Sequence, residues 1–553
     1  MTSAIGTAAT LAARAGGTVF RLVRWTIDPA SSRSAAAGGP ASGWLVVTLF
    51  REPTDIDTGA LPAPLAEFGD RIEVRVRPAA DGKGTELAAR LRDPAGSGGA
   101  ARRLGGNDAQ ADLRSALRRA KQLIEVGEVL AVDPAPHGER TPTPGGALLE
   151  SWTRSAPKAG CAMKAVTWRG VNEIGVEDVP EPRILNDHDI VLEVGLSATC
   201  GSDLHLVGGY IPAMRAGDVL GHEFMGTVAE VGRGVTKHRV GDRVVVVSFI
   251  SCGKCWYCRQ GLWSLCDNGN PNPGITEALW GQSIGGCFGY SHALGGWAGS
   301  HARYIRVPYA DNGAFTIPEG VSDERALFAS DAAPTGWTGA HQAEVQPGDV
   351  VAVWGAGGVG QMAARKAILM GAERVVVIDR FDNRLQQVRT HIGTETLDYE
   401  QTDVPAELRE MSGGRGPDVC IEAVGMEAHS PGPQYLYDQV KQQMRLQTDR
   451  PTAVREAIWA CRKGGTVFTL GVFAGLVDKF PLGAVMNKAL TLRGAQQHGH
   501  RYIPEILDLM SRDEVRTEHL ATHVMPIEDG PKGYRMFKEK EDGCVRAVFR
   551  PGG

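Results

Sequence analysis

No stretch of about 18 consecutive apolar residues occurs in this 553-residue sequence, which argues against a transmembrane helix. Neither sign of charge dominates, because the formal net charge is -5 and the pI is about 6.3. Without a strongly basic field, general nucleic-acid binding is disfavoured. No internal repeat is visible, and the length predicts about three domains.

A secretory signal is not expected at the N-terminus. The segment MTSAIGTAATLAARAGG has no early basic residue, and Arg14 interrupts its apolar stretch. Arginines without any acidic residue before Asp28 leave a transit peptide as a minor alternative. We therefore expect a cytoplasmic protein with no membrane partner.

The cysteines are unevenly distributed. Of the 10 cysteines, four lie between Cys252 and Cys266, and the other six are scattered. This clustering predicts a metal site in a reducing compartment rather than a disulfide framework. The four read C-x2-C-x2-C-x7-C: Cys252, Cys255, Cys258 and Cys266. Four thiolates can close a tetrahedral shell around a structural zinc ion, with an iron–sulfur cluster as the rival interpretation.

The first 160 or so residues differ in composition from the rest. Strands are predicted over Trp44–Phe50 and Arg71–Val76, with a weaker candidate over Glu86–Leu91. An amphipathic helix is predicted over Asp108–Leu130, with Leu113, Leu117, Leu123 and Ile124 on one side. Residues 132–160 are rich in Pro, Gly and Ser and predict a linker.

This N-terminal region, here called the appendage, has a resemblance of its own. RIEVRVRPAADGKGTELAARLRDP, followed by a helix that ends KQLIEVGEV, resembles the last strands and closing helix of the polyketide-cyclase/START-like helix-grip family. The resemblance covers about residues 65–130. The alternative is a decayed or truncated accessory domain with no ligand.

A glycine-rich turn lies further along the chain. Gly355, Gly357 and Gly360 form G-x-G-x-x-G after an apolar strand (Val350–Trp354) and before a helix, the context required for dinucleotide binding. Gly355 permits the tight turn, Gly357 lets the backbone approach a pyrophosphate, and Gly360 allows close packing. The next strand ends at Asp379, whose carboxylate would favour NAD over NADP, although Arg380 can soften that preference. Alternating strands and helices here predict a doubly wound parallel sheet.

The region upstream carries a candidate catalytic metal site. Cys200-Gly201-Ser202-Asp203-Leu204-His205 is followed by Gly221-His222-Glu223. A thiolate and an imidazole are typical ligands of catalytic zinc. With the four-cysteine segment, CGSDLH (200–205), GHEFMGTVAEVG (221–232), VGDRVVV (240–246) and VWGAGGVG (353–360) make residues 163–553 resemble a zinc-dependent medium-chain alcohol dehydrogenase. SDAAPTGW (330–337) and residues 442–467 are most similar to the bacterial formaldehyde-dehydrogenase-like branch.

The resemblance implies an α/β fold with a GroES-like β catalytic domain, an inserted Rossmann domain and the small α+β appendage. The predicted boundaries are 1–131 for the appendage, 132–160 for the linker, 163–334 for the catalytic domain with its structural zinc lobe, 335–495 for the NAD-binding domain, and 496–553 for the return to the catalytic domain.

It also implies site residues. Cys200, His222 and Asp331 would bind catalytic zinc, with Asp331 in the place that many relatives fill with cysteine. Glu223 would lie close behind the metal, where it can act as an alternate ligand. Ser202 and His205 would form a proton relay, whereas the neighbouring Asp203 is expected to be structural. Cofactor contacts are implied for Gly358 and Val359 in the glycine turn, for Thr335, and for Gly471 and Val472 through their backbones.

The predicted function is a zinc- and NAD-dependent oxidoreductase that interconverts a small alcohol and an aldehyde. Two zinc ions per chain and a homo-oligomer, either dimer or tetramer, are expected. Two alternatives stay open within the enzyme class: a dismutase with tightly held NAD, and a glutathione-adduct dehydrogenase. A non-catalytic ligand or redox sensor that uses the appendage is an alternative of another class, and deletion of residues 1–160 would discriminate it.

Overall fold

The computed structural model describes residues 43–92, 109–133, 162–426, 428–429, 449–475, 477 and 479–552. The N-terminal segment interpreted above, most of the predicted linker, and residues 442–448 of the formaldehyde-dehydrogenase-like segment lie outside the described residues. Within the described part, no helix combines the length and the apolar character needed to cross a membrane.

The chain divides into two compact units. The first comprises the described residues of Met1–Asp133 together with Ile250–Cys287 and Ser291–Trp297. The second comprises those of Pro134–Phe249, Phe288–Tyr290 and Ala298–Gly553. The four-cysteine segment therefore groups with the appendage, whereas the sequence places it in a catalytic domain over 163–334. The domain boundaries stay a prediction.

The appendage part of the first unit is a small sheet covered by one helix. Three antiparallel strands lie in the order Leu45–Leu49, Thr85–Leu91, Ile72–Pro78. The predicted helix spans Ala109–Glu125, and Leu113 and Leu117 are buried in the apolar cluster between helix and strands. The helix is five residues shorter at its C-terminal end than predicted, and Gly127 follows at a φ of 96°. The resemblance to a helix-grip fold stays a prediction.

The rest of the first unit is built from short elements around the cysteines. Its helices are Trp256–Arg259 and Pro273–Trp280, and its remaining strand is Gly286–Cys287. The short helix Ala63–Ala66 belongs to the appendage, where Leu65 joins the apolar cluster. Such short elements bury little apolar area, so that a metal ion is expected to supply much of their stability.

The second unit contains a mixed sheet and a parallel sheet. The strands of the mixed sheet, in spatial order, are Ala314–Thr316, Arg243–Val246, Glu223–Val231, Ile190–Ala198, Ala547–Arg550 and His523–Pro526, and Tyr304–Val307 also pairs with Ile190–Ala198. A further small sheet has the order Glu173–Pro180, Ala162–Gly170, Asp218–Val219. The near-C-terminal strand thus pairs with one that begins more than 300 residues earlier, Val548 with Ala198.

The six-stranded parallel sheet confirms the predicted doubly wound arrangement. Its order is Glu395–Asp398, Arg374–Asp379, Val350–Trp354, Val419–Glu422, Thr466–Thr469, Thr491–Gly494. Alternate residues enter two different apolar clusters, Val351 and Val353 one and Ala352 and Trp354 the other. Both faces are therefore covered, as expected for a parallel sheet.

Helices of the second unit surround these sheets. They span Gly201–Val207, Ala310–Gly313, Asp323–Leu327, Ala332–Gln342, Gly358–Leu369, Asp382–Gln387, Val404–Met411, Thr452–Ala460, Leu482–Asn487, Ile503–Ser511 and Gly530–Glu539. One π-helical turn, Val388–Ile392, continues the helix that begins at Asp382.

Candidate active site and metal centres

Three loop residues at the ends of regular elements bring metal-ligating atoms together in the second unit. Cys200 precedes the helix Gly201–Val207, His222 precedes the strand Glu223–Val231, and Asp331 precedes the helix Ala332–Gln342. All three are buried, and one ligand atom from each lies within 4.8 Å of the others. Positions at element ends hold the side chains on rigid supports, which a catalytic metal site requires.

The distances in this triad fit zinc. Asp331 Oδ2 lies 3.4 Å from Cys200 Sγ and 3.8 Å from His222 Nε2. Ligand atoms of a tetrahedral zinc ion lie about 3.4–3.8 Å apart, and a set of one sulfur, one nitrogen and one oxygen suits that ion. Three protein ligands leave a fourth position for water or substrate.

The His222 ring is oriented by a carboxylate on its other side. His222 Nδ1 lies 3.1 Å from Asp203 Oδ1, and both residues are buried. Burial is the largest single effect and lowers the pKa of His222, but Asp203 and Cys200 together raise it, so that the pKa lies well above its ordinary value of 6.5. A proton on Nδ1 leaves Nε2 as the metal-binding nitrogen. Asp203, expected from the sequence to be structural, thus positions a metal ligand.

Asp203 itself is fixed by two donors. Its Oδ2 accepts hydrogen bonds from the Cys200 backbone N–H at 2.9 Å and the Tyr534 hydroxyl at 3.1 Å. One carboxylate therefore holds both the backbone of one ligand and the ring of another. Burial is the largest single effect and raises the pKa of Asp203, but His222, His301 and the Cys200 N–H together lower it, and the net shift is downward.

The third ligand, Asp331, has one oxygen occupied by protein donors. Its Oδ1 accepts from the hydroxyls of Ser248 and Thr335, each at 3.2 Å, and from Nε2 of Gln497. Oδ2 is left toward Cys200 and His222. Thr335, predicted to contact the cofactor, has its hydroxyl directed at a metal ligand, and Ser248 and Gln497 were not predicted at all.

Glu223 is completely buried behind the triad. Its Oε1 accepts from the Ala332 backbone N–H at 2.9 Å, and its Oε2 lies 3.4 Å from Arg546 Nε. Burial raises the pKa of Glu223 to about 7, against the opposing effect of Arg546. The position behind the metal that the resemblance implies for Glu223 stays a prediction, and the buried Arg546 was not predicted from sequence.

The two candidate relay residues lie on one short helix. Ser202 Oγ is 3.0 Å from His222 Nε2, at the metal side of the ring. His205 lies three residues further along the same helix and is buried, 4% exposed. The relay itself stays a prediction.

The glycine turn has the backbone that its sequence predicts. Gly355 has a φ of 102°, and a Cβ on Gly360 would lie 1.8 Å from the Gly355 carbonyl oxygen. The close approach that requires Gly360 is therefore between the helix and its own turn. A Cβ on Gly357 would meet only Arg384 Nη1, at 4.0 Å, so the space above this residue is open. Gly358 begins the helix, and Val359 packs against the apolar cluster.

The acidic residue that ends the second strand supports that turn. Asp379 Oδ2 accepts from the Ala356 N–H at 2.8 Å, and Oδ1 accepts from the Arg380 N–H at 2.7 Å. The Arg380 guanidinium pairs with Glu400 at 3.0 Å, which partly neutralises its charge.

At the other side of the sheet, Gly471 and Val472 lie against the end of a neighbouring strand. The Gly471 N–H donates to the Glu422 carbonyl, and the Val472 carbonyl accepts from the Met426 N–H, both at 2.9 Å. These backbone groups are thus bonded within the protein. Their predicted contact with a cofactor stays a prediction.

In the first unit, the four cysteines converge as their spacing predicts. Cys252, Cys255, Cys258 and Cys266 are all buried, and their sulfurs lie within 4.8 Å of one another. Cys255 Sγ is 3.5 Å from Cys258 Sγ and 3.9 Å from Cys266 Sγ. Sulfurs around one tetrahedral zinc lie about 3.8 Å apart, so the set fits a single zinc ion with no open position.

Comparisons with known proteins agree with this geometry. The family model described as "Alcohol dehydrogenase GroES-like domain" matches residues 186–319, and the one described as "Zinc-binding dehydrogenase" matches 358–437. An uncharacterised zinc-type alcohol dehydrogenase-like protein, AdhB, from Bacillus subtilis is 38% identical over 70% of this chain and 100% of its own length. A glutathione-independent formaldehyde dehydrogenase from Pseudomonas aeruginosa is 30% identical over 68% of this chain and 94% of its own.

Solved structures give the same result. Alcohol dehydrogenase TADH from Thermus sp. ATN1 is 33% identical, with a TM-score of 0.58, over 70% of this chain and 99% of that chain. These matches, together with the two thiolate-containing sites, confirm the predicted family and fold class. The chain belongs to the zinc-type medium-chain alcohol dehydrogenases, a family of oxidoreductases.

Proposed function

We propose that this protein interconverts a small alcohol and an aldehyde by hydride transfer to or from NAD, in the manner of a formaldehyde dehydrogenase. The observation that carries the proposal is the convergence of Cys200, His222 and Asp331 within 4.8 Å. The glycine turn Gly355–Gly360 belongs to the same compact unit. The similarity to the Pseudomonas formaldehyde dehydrogenase supports the substrate class.

NAD is proposed as the cofactor because of Asp379. A buried carboxylate at the end of the second strand repels a 2′-phosphate and accepts hydrogen bonds from ribose hydroxyls. The pairing of Arg380 with Glu400 reduces the one charge that would oppose this preference. A Cβ on Gly358 would lie 3.1 Å from Arg546 Nη2, so a buried cation lies beside the helix start where a pyrophosphate is expected.

The proposed chemistry assigns a role to each residue of the site. When bound, zinc would polarise the substrate oxygen, and NAD would accept the hydride. Cys200, His222 and Asp331 hold the metal, and Ser202 accepts the hydroxyl proton of the alcohol. His205 would then pass a proton on toward water.

A cytoplasmic location and a homo-oligomer are further parts of the proposal. All nine described cysteines are free, and both thiolate sites require reduced sulfur. The outer parallel strand Thr491–Gly494 is exposed along its length, with Leu482 and Met486 exposed nearby in sequence. The outer edge of such a strand carries backbone groups that can pair with a strand of a second copy. The molar mass in solution tests this directly.

The decisive experiment is an absorbance assay at 340 nm with formaldehyde and a panel of alcohols, with and without added NAD. We expect absorbance to rise only when NAD is added, and we expect Cys200→Ala to abolish the rise. Cys461→Ala is the matched control. Cys461 is also a buried cysteine, but it lies in the apolar cluster that contains Ala352 and Trp354 and belongs to neither group of metal-ligating residues.

Two other outcomes distinguish the alternatives. Formaldehyde consumed without added NAD and without a change at 340 nm would identify a dismutase with bound cofactor. A protein that loads zinc and NAD yet turns over none of the panel would contradict the substrate class and support a sensor.

A further inference from the structure

The appendage helix Ala109–Glu125 has a second buried face that its amphipathic pattern does not predict. Leu113, Ala116, Leu117 and Ala120 pack against the appendage sheet. Lys121, Gln122 and Glu125 are also buried, although two of them carry a charge. Buried charges require partners, and these partners lie beside the four cysteines of the same unit.

Glu125 is linked to a metal-site cysteine through one amide. Glu125 Oε2 accepts from Asn268 Nδ2 at 2.8 Å, and the same nitrogen donates to Cys252 Sγ at 3.3 Å. An amide oxygen in that position would lie against a carboxylate and a thiolate. The nitrogen is therefore the orientation that pairs with both groups.

Lys121 fixes Glu125 and the loop after the last cysteine. Its Nζ lies 2.9 Å from Glu125 Oε1 and 3.2 Å from Asp267 Oδ2, and it also donates to the Thr48 carbonyl. These three acceptors match the three hydrogens of an ammonium group. Asp267 lies between Cys266 and Asn268 in the sequence, so the lysine holds the segment that carries both.

Two backbone contacts complete the junction. Gln122 Nε2 donates to the Asn268 carbonyl at 3.3 Å, and Lys254 Nζ donates to the Val126 carbonyl at 3.4 Å. Lys254 lies between Cys252 and Cys255. The helix end thus contacts the segments on both sides of the metal site.

From these contacts we propose that the appendage helix forms the outer layer of the four-cysteine site and controls how tightly that site holds zinc. The appendage is then a working part of the metal lobe rather than a passenger or a separate ligand sensor. Partners that orient metal ligands commonly contribute 10- to 100-fold to metal affinity. This inference concerns zinc retention and does not depend on the substrate.

The test measures zinc release from the full-length protein to a chromogenic chelator. All variants carry Cys200→Ala, which removes a ligand of the other site, so that the released zinc comes from the four cysteines. We expect Glu125→Ala and Asn268→Ala each to accelerate release by about 10- to 100-fold. Because both act through one path, the double variant should release zinc no faster than about the faster single variant.

Arg118→Ala provides the matched control. Arg118 pairs with Glu277 at 3.0 Å, and thus joins the same helix to the same unit without contacting the Glu125–Asn268 path. Its release rate should equal that of the background. Equal acceleration by Arg118→Ala, unchanged release in Glu125→Ala, or multiplied effects in the double variant would each overturn the proposal.

A second readout covers the case in which Glu125→Ala fails to fold. Glu125→Gln keeps the side-chain size but cannot accept at both positions that Glu125 now serves. With cobalt in place of zinc, the thiolate-to-metal charge-transfer band should shift in Glu125→Gln and stay unchanged in Arg118→Ala. An unshifted band in Glu125→Gln would contradict the proposed path to Cys252.

Discussion

Asp203 Oδ1 lies 3.1 Å from His222 Nδ1, on the side of the ring away from Asp331. Replacement of Asp203 by Asn keeps a hydrogen-bond acceptor and removes the charge, so the histidine becomes a weaker ligand. We expect zinc affinity at this site to fall by about 10- to 100-fold, with a parallel fall in kcat/KM. Zinc stoichiometry by atomic absorption and steady-state kinetics measure both.

Tyr534→Phe is the control for this prediction, because it removes one donor to Asp203 Oδ2, together with the bond between the hydroxyl and His301 Nε2, and leaves the Asp203 charge in place. Its effect on zinc affinity should be clearly smaller than that of Asp203→Asn. Equal losses in the two variants would indicate that the Asp203 charge is unimportant.

Gln497 should affect both stability and activity through Asp331. In Gln497→Leu, Asp331 Oδ1 keeps its bonds to Ser248 and Thr335 and loses the amide donor. Loss of a partner for a buried charged group costs about 1–3 kcal/mol, and a less fixed ligand should lower kcat. Urea unfolding and kcat measurements test this expectation, and a variant with unchanged values of both would refute it.

Cofactor choice should change on removal of the Asp379 carboxylate. Asp379→Ser removes the group that repels a 2′-phosphate, so the ratio of kcat/KM for NADP to that for NAD should increase by at least about tenfold. Because Asp379 also accepts from Ala356, activity with NAD should decrease. Glu400→Gln is the comparison variant: it frees Arg380 from its partner and should favour NADP to a lesser degree. A constant ratio in both variants would argue against this assignment.

A buried histidine should make the protein sensitive to acid. Burial lowers the pKa of His500 to about 3 from an ordinary value of 6.5. Between these values the unfolded chain binds more protons than the folded one, so the free energy of unfolding decreases as pH falls below about 6.5. The contribution approaches about 1.4 kcal/mol per pH unit.

His500→Asn should therefore flatten this slope between pH 6.5 and 4.5. A comparison at pH 8, where His500 is neutral in both states, isolates the packing effect of the substitution. Denaturant unfolding across that pH range measures the slope, and parallel curves for the two proteins would rule out His500 as the cause.

The sequence predicts those parts of the site that local spacing determines. For the cysteines from Cys252 to Cys266 and the glycines from Gly355 to Gly360, the spacing in the sequence is enough to predict the local geometry. The first strand of the parallel sheet follows equally well from its apolar run, and Val350–Trp354 has the predicted bounds. Asp331 as a ligand came only from family resemblance.

The rest depends on residues that are distant in sequence. Gln497 meets Asp331 across 166 positions, and Asn268 meets Glu125 across 143. No local sequence pattern in either segment predicts these contacts. The amphipathic pattern of the appendage helix predicts its apolar face. It does not predict the burial of Lys121, because a charged residue ordinarily indicates a solvent-exposed position.

The strand Ala547–Arg550 has a consequence for biosynthesis. It lies beside Ile190–Ala198 in the catalytic sheet, and Arg546, immediately before it, is the cation near Glu223. During translation, the buried Glu223 carboxylate therefore lacks its cation until more than 300 further residues have been synthesised. The parallel sheet is contained within residues 350–494 and has all its strands much earlier. A nascent chain should thus be able to assemble its dinucleotide-binding sheet well before its catalytic centre is complete.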